Sequence, residues 1–234
     1  DRKLHDFEKA IAEYTKIKEG PQTDAAAQRL RELKEPYLLV TYERLFRTNE
    51  TPKLKVETRN IEKLHCKAYR LNAEDYFRRM GELARIEELN IALIDPHQEW
   101  DAPVKDFKKY LDTESQLDLP FKEPGLFAVN VTGEKLEATV MILITDIAVL
   151  VKSSKKDVLV FAENLRTGQP QPDAQLLVGD GKKVVLTGKT GADGIFQAAF
   201  PRGEGEGEGV PEVRVYAEVA GSPASNTLNL SSLG

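Results

Sequence analysis

The sequence predicts a mainly β protein: two consecutive antiparallel β-sandwich domains, preceded by a short helical pair and with one helix inserted in the first sandwich. Three observations predict this class. Apolar residues recur at three- and four-residue spacing only before Glu35 and around residues 73–86, and at alternate positions nearly everywhere else. Turn residues separate the alternating runs of the second half at spacings of about 8–12 residues, the rhythm of a sandwich. A length of 234 residues suits two domains with a small appendage.

The lead-in spans residues 1–35. Leu4, Phe7, Ala10, Ile11, Tyr14 and Ile17 form one apolar stripe among balanced charges, so the segment reads as an amphipathic helix. Gly20-Pro21 ends it by removing a side chain and then a backbone donor. Thr23 or Asp24 caps a second helix through Lys34. The expected role is packing, because no residue in it marks a partner-binding surface.

From Glu35-Pro36 the period changes to two. Tyr37–Tyr42, Lys53–Thr58 and Lys63–Leu71 read as strands, with turns at Thr48–Pro52 and Arg59-Asn60. Asn72 caps a helix expected over about 73–86, with Tyr76, Phe77, Met80, Leu83 and Ile86 as its apolar stripe. Strands are expected again at Leu89–Ile94, Phe107–Leu111, Gln116–Leu119, up to Val131 after the turn at Glu123-Pro124-Gly125, and over Ala138–Ile144. The first sandwich thus covers 36–145. The second, 146–234, has seven expected strands: Ile147–Lys152, Asp157–Glu163, Ala174–Val178, Lys183–Thr187, Ile195–Phe200, Val213–Val219 and Thr227–Leu230. Thr167-Gly168, Gly179–Gly181 and Ala192–Gly194 supply turns between them, which is an immunoglobulin-like pattern.

Composition removes much chemistry. With 41% hydrophobic and 30% charged residues, Gly 16 and Pro 12, the chain is neither disordered nor collagenous. A net charge of −5 leaves no positive field for a polyanion, so nucleic acid is not an expected partner. The single cysteine, Cys66, excludes an internal disulfide and a thiolate zinc cage, and His5, His65 and His97 are too few for a His-rich metal site. The longest apolar stretch, Ala138–Val151, is broken by Thr139, Thr145 and Asp146 and is shorter than a bilayer span, so no membrane contact is expected. A start at Asp1 without Met, and strand-like alternation up to the last residues, predict a segment of a longer protein.

The motifs that could carry chemistry each have a simpler reading. Gly188-Lys189-Thr190 lacks the glycine a phosphate loop needs five residues earlier, where Lys183 stands, and it joins two strands instead of opening a helix. Asp180-Gly181 and Asp193-Gly194 lack the spacing of a calcium loop and read as tight turns. Alternation puts His65 and Cys66 on opposite faces of one strand, so they form no nucleophile and base pair; Cys66 reads as a strand residue and His65 as a surface or edge residue. Sequons at Asn49, Asn130 and Asn229 do not by themselves establish secretion. The acidic run Gly203–Gly209 reads as an elongated loop. The expected site is therefore none: no catalytic, cofactor or metal residues.

Residues Leu143-Ile-Thr-Asp-Ile-Ala-Val-Leu-Val-Lys152, Val158-Leu-Val-Phe-Ala-Glu-Asn-Leu-Arg-Thr-Gly-Gln-Pro170, Asp173-Ala174 and Gly188-Lys-Thr-Gly-Ala-Asp-Gly-Ile-Phe196 together resemble an early macroglobulin-type domain of bacterial alpha-2-macroglobulins. The preceding blocks, Glu57-Thr-Arg-Asn-Ile-Glu-Lys63, Lys67-Ala-Tyr-Arg-Leu-Asn-Ala-Glu-Asp-Tyr-Phe77, Leu117-Asp-Leu-Pro120 and Glu123-Pro-Gly-Leu-Phe127, resemble the domain before it. The resemblance covers roughly 36–234, and the order of the blocks carries it. It implies two macroglobulin-type, fibronectin-III-like sandwiches within a large extracytoplasmic protein that traps proteases cleaving a bait segment. It implies neighbouring domains of that type as partners, proteases as targets of the whole protein, and a non-catalytic scaffold role for this segment. Any envelope anchor would lie outside it. The family's thioester motif is Cys-x-Glu-Gln, whereas Cys66 is followed by Lys-Ala-Tyr, so no thioester is expected here. The alternative expectation is a sandwich binding module of a surface adhesin or polysaccharide-handling protein, for which Trp100 and 7% aromatics offer few stacking groups.

Overall fold

A computed structural model describes residues 2–17, 20, 23–42, 45–83, 95–201 and 212–228. Two helices, α1 (Arg2–Lys16) and α2 (Thr23–Lys34), form the expected pair and contact each other, with Ala26 of α2 buried. The end of α2 is tied to the first sandwich by Asn60, whose side-chain amide donates to the Leu33 carbonyl at 2.8 Å. Asn60 sits in the left-handed region at φ 57, where asparagine is one of the few non-glycine residues at ease, and this makes the turn after β2.

The first sandwich pairs β1 (Tyr37–Thr41), β2 (Lys53–Arg59) and β5 (Thr113–Asp118) in one sheet of order β1-β2-β5. Its other sheet holds β3 (Lys63–Leu71), β4 (Gln98–Pro103), β6 (Gly125–Gly133) and β7 (Leu136–Ile144) in the order β4-β3-β6-β7, and α3 (Ala73–Met80) follows β3. Every pairing is antiparallel. The alternation of β2 places Leu54 and Val56 inside, against Leu64, Phe127, Val129 and Ile142 of the facing sheet.

The second sandwich has one sheet of β9 (Asp157–Asn164) flanked by β8 (Ile147–Ser153) on one side and by β13 (Ile195–Ala199) and β10 (Gln169–Pro170) on the other. The second sheet, of order β12-β11-β14-β15, comprises β11 (Gln175–Gly179), β12 (Val184–Lys189), β14 (Arg214–Val219) and β15 (Ser222–Ser225). Val158, Val160, Leu176, Val178 and Val215 fill the space between them. The described residues are thus mainly β, in four antiparallel sheets with three helices, as the periodicity predicts.

Several elements differ from expectation for identifiable reasons. The inserted helix, expected to about residue 86, ends at Met80, because Gly81 turns into the left-handed region (φ 72) and its N–H bonds the Phe77 carbonyl at 2.7 Å. Residues 84–86 of the expected helix lie outside the described residues, as does the expected strand Leu89–Ile94. The strand expected at Phe107–Leu111 is a pair of turns. Asp106 (φ 58) and Tyr110 (φ 69) are both left-handed, which no strand tolerates, and the Tyr110 N–H is taken by the Asn60 side chain at 2.7 Å. Strand β4 replaces it: its residues are mostly exposed and polar because it is an edge strand, so its alternation is weak in the sequence. The last described strand, β15, starts five residues before the strand expected at Thr227–Leu230; Thr227 and Leu228 are not in a strand, and Asn229-Leu230 lie outside the described residues. Asn226 ends β15 by bonding both the N–H of Val215, at 2.7 Å, and the carbonyl of Val213, at 2.9 Å.

Candidate functional site: the joint between the sandwiches

The residues that the sequence singles out are dispersed, and most serve the local chain. Cys66 is fully buried on the inner face of β3, where burial and then the charge of Asp101 push its thiol up to about 12. His65 points to the opposite face, its Nδ1 at 2.9 Å from Asp101 and its Nε2 at 3.0 Å from Glu99 on β4. Strand β3 lies inside its sheet, so His65 is a surface residue and not an edge one. Hydrogen bonds from Lys63 and then His65 hold the Asp101 carboxyl below its ordinary range. His97 pairs with Glu123 and lies against the rings of Phe121 and Phe127.

The aspartate and glycine pairs build turns. Asp180 accepts from the N–H groups of Lys182 and Lys183, both at 2.9 Å, and Asp193 accepts from the Ile195 N–H at 3.0 Å. Thr190, from the Gly188-Lys189-Thr190 run, is buried; its hydroxyl donates to the Gln171 carbonyl at 2.7 Å and accepts from the Ala174 N–H at 3.0 Å. The amide of Asn130 is held by Glu137 at 2.6 Å and Thr139 at 3.0 Å, so that sequon is committed to sheet packing. Trp100 stands edge-on to Phe121 and packs against the first core, not as an open aromatic platform. The Gly203–Gly209 loop and the Asn229 sequon lie outside the described residues. Among the described residues no three His, Cys, Asp or Glu side chains converge as a metal cage.

What the fold brings together is an interdomain joint. Strands β3, β6 and β7 carry apolar residues on both faces near one end: Tyr69, Leu71, Leu126, Ala128, Met141 and Leu143 face outward and are buried. Helix α3 and the second sandwich cover them. Asn72 caps α3 by accepting from the Asp75 N–H at 3.1 Å, and Phe77, fully buried, meets Tyr216 of β14 with ring centroids 5.9 Å apart. Leu177 of β11 closes the same cluster, so one apolar cluster, separate from the inner cores of the two sandwiches, bridges the first sandwich, α3 and the second. Burial, and then the hydrogen bond it donates to Glu218, raise the Tyr216 phenol well above its ordinary value and keep it neutral.

The backbone comes closest where α3 ends. A Cβ on Gly179, the last residue of β11, would lie 2.3 Å from the Gly81 carbonyl oxygen, and a Cβ on Gly81 would lie 2.5 Å from the Lys183 nitrogen. Only glycine fits at either position. The next two residues are fastened as well: Glu82 to the Arg214 Nε at 3.1 Å, and the Leu83 N–H to the Thr227 hydroxyl at 3.1 Å. Arg214 also pairs with Glu212, and the two carboxylates outweigh its partial burial and secure its charge.

A second fastening lies at the connector. The carboxylate of Asp146, between β7 and β8, accepts from the Thr48 N–H at 3.0 Å and the Thr48 hydroxyl at 2.6 Å, while its own N–H reaches Ser222 at 3.3 Å. Phe46 bonds the chain on both sides of Ile144, at 2.9 Å to the Leu143 carbonyl and 2.8 Å from the Thr145 N–H. Beside α3 the joint leaves an open cleft of about 720 Å³, lined from the helix by Glu74 and Arg78 and from the sheet by Gln175, Thr187, Lys189 and Glu218. The chemistry of this arrangement is mechanical: apolar burial, two glycines in backbone contact and hydrogen bonds at both ends fix two sandwiches in one geometry. Of the expected stripe, Tyr76, Phe77 and Leu83 are buried, whereas Met80 is 45% exposed and Ile86 lies outside the described residues; sequence reasoning reads Gly179 only as a turn residue and misses Gly81 and Arg214. The available signal was the apolar run Leu126–Val129, which is too continuous for a strand with one wet face.

No protein-family model matches the chain. Solved structures do. Native alpha-2-macroglobulin from Escherichia coli spanning domains NIE-MG1 is 13% identical, with a TM-score of 0.61 over 82% of this chain and 97% of that one. A structure of the same protein spanning MG0-NIE-MG1 is 13% identical, with a TM-score of 0.60 over 82% of this chain and 64% of that one. A Salmonella alpha-2-macroglobulin mutant is 15% identical, with a TM-score of 0.55 over 85% of this chain and 12% of that one. The fold is that of bacterial alpha-2-macroglobulin domains, and the chain matches about one eighth of the length of the Salmonella protein.

Proposed function

We propose that this chain is a non-catalytic scaffold segment of a bacterial alpha-2-macroglobulin-like endopeptidase inhibitor. The observation that carries the reading is that a single likeness spans both sandwiches at once, 82% of this chain and 97% of an Escherichia coli alpha-2-macroglobulin segment. The joint supports it, because an array that converts a cut at one place into a rearrangement at another needs units that move as bodies. In this reading residues 1–35 are a helical lead-in, 36–145 the first domain and 146–234 the second. Neighbouring sandwich domains of the same polypeptide are its direct partners, and proteases are targets of the whole protein. Its setting is the periplasm or cell envelope; no described helix is long and apolar enough to cross a membrane.

The test is protease turnover. At equimolar amounts the isolated chain leaves trypsin hydrolysis of a protein substrate unchanged. A slowed turnover would mean that the segment itself carries inhibitory chemistry, and the scaffold reading would be wrong.

A further inference from the structure

Helix α3 belongs to the first sandwich by sequence and packs on both sandwiches, its apolar face on β3, β6 and β7 and its C-terminal end on the second. It has eight residues, about two turns, well below the length at which a helix is stable by itself in water. Its order therefore comes from tertiary contacts. The first sandwich supplies the Asn72 cap and the surface beneath it. The second supplies the Tyr216 ring against Phe77, the β11–β12 turn under Gly81, Arg214 for Glu82 and the Thr227 hydroxyl for the Leu83 N–H. From Phe77 to Leu83, most of the fastenings are across the joint. The apolar surface that α3 covers on β3, β6 and β7 would meet water without it.

We infer that α3 is a conditional strap, ordered only while the two sandwiches are docked and released when they part. Separation would then melt the helix and expose Leu71, Leu126, Met141 and Leu143 together, so that a rigid-body motion is converted into local unfolding and a new apolar surface. The inference concerns the joint alone and does not depend on the protease-trap reading.

Amide hydrogen exchange on the full chain tests it, reading peptides from α3, from β2 and from β9. Tyr216→Ala removes the ring facing Phe77. Arg214→Gln combined with Thr227→Val removes the two anchors after α3 and leaves the apolar cluster intact. The expected result is that the amides of Tyr76 to Gly81 exchange at least about tenfold faster in both variants, a larger factor than any change in β2 or β9. If Tyr216→Ala loosens β9, the double variant decides. Unchanged α3 exchange in the double variant overturns the inference. So does acceleration of α3 in step with β2, because the helix would then open only with the first sandwich as a whole.

Discussion

Replacing Gly179 by alanine should loosen the whole molecule, though it adds one methyl group. The new Cβ would stand 2.3 Å from the Gly81 oxygen and 3.1 Å from its carbonyl carbon. Both are backbone atoms, and Gly81 is held from behind by its own bond to Phe77, so no side-chain rotation relieves the clash. Gly179 itself is not among the glycines at positive φ, so the conformational term is small and the effect is steric. Overpacking of this kind costs about 1–3 kcal/mol, and a backbone obstacle puts the value toward the upper end. For a chain of this size that is a fall in Tm of about 2–4 °C per kcal/mol. The assay is urea denaturation read twice, by far-UV circular dichroism and by fluorescence of Trp100, the only tryptophan, which sits in the first sandwich. Both transitions should move to lower urea together, although the substitution is in the second sandwich. Gly191→Ala is the control, since its Cβ would meet the Asp193 carboxylate at 3.1 Å and the Ile195 carbonyl oxygen at 3.6 Å, an ordinary contact distance, and its effect should stay within about 0.5 kcal/mol. Wild-type stability for Gly179→Ala, or a shift in circular dichroism that leaves the Trp100 transition in place, would show that the joint does not couple the two sandwiches.

Two further expectations concern single groups. Cys66, buried and with its thiol pushed up to about 12, should resist a thiol reagent at pH 8 in the native chain and react with one equivalent on unfolding in urea; rapid native labelling would contradict its placement. At Asp180 partial burial raises the pKa, but the N–H bonds from Lys183 and Lys182 and the residue's own backbone outweigh it and hold the carboxyl below its ordinary range. Folding thus favours the ionised form, so the stabilisation is complete above the unfolded value of about 3.9 and is lost as pH falls through the lower native value. The urea midpoint of Asp180→Asn should lie below wild type at pH 5.5 and approach it at pH 2.5; a gap that stays constant or widens with acid would be the wrong sign.

The sequence by itself determined the class and the order of elements. Period-two alternation is a local property, and one buried face is enough to write it, so β2, β8 and β9 are legible from residues such as Leu54-Lys-Val-Glu and Val158-Leu-Val. The same logic separates Cys66 from His65 and reduces the aspartate turns to backbone chemistry. Tertiary structure decided what depends on partners far along the chain. Gly81 stops α3 by a local left-handed cap, but its close approach to the backbone of Lys182 and Lys183, about a hundred residues away, comes only with the docking of the two sandwiches. Strand β4 is exposed at a sheet edge, so little apolar burial marks it. The end of β15 depends on Asn226 turning back to Val213 and Val215. The joint is the clearest case. Tyr69, Met141, Leu177 and Tyr216 each look like ordinary strand residues, and only the docking of one sandwich on the other makes them a single core. Alternation records that a face is buried, and it cannot record what buries it.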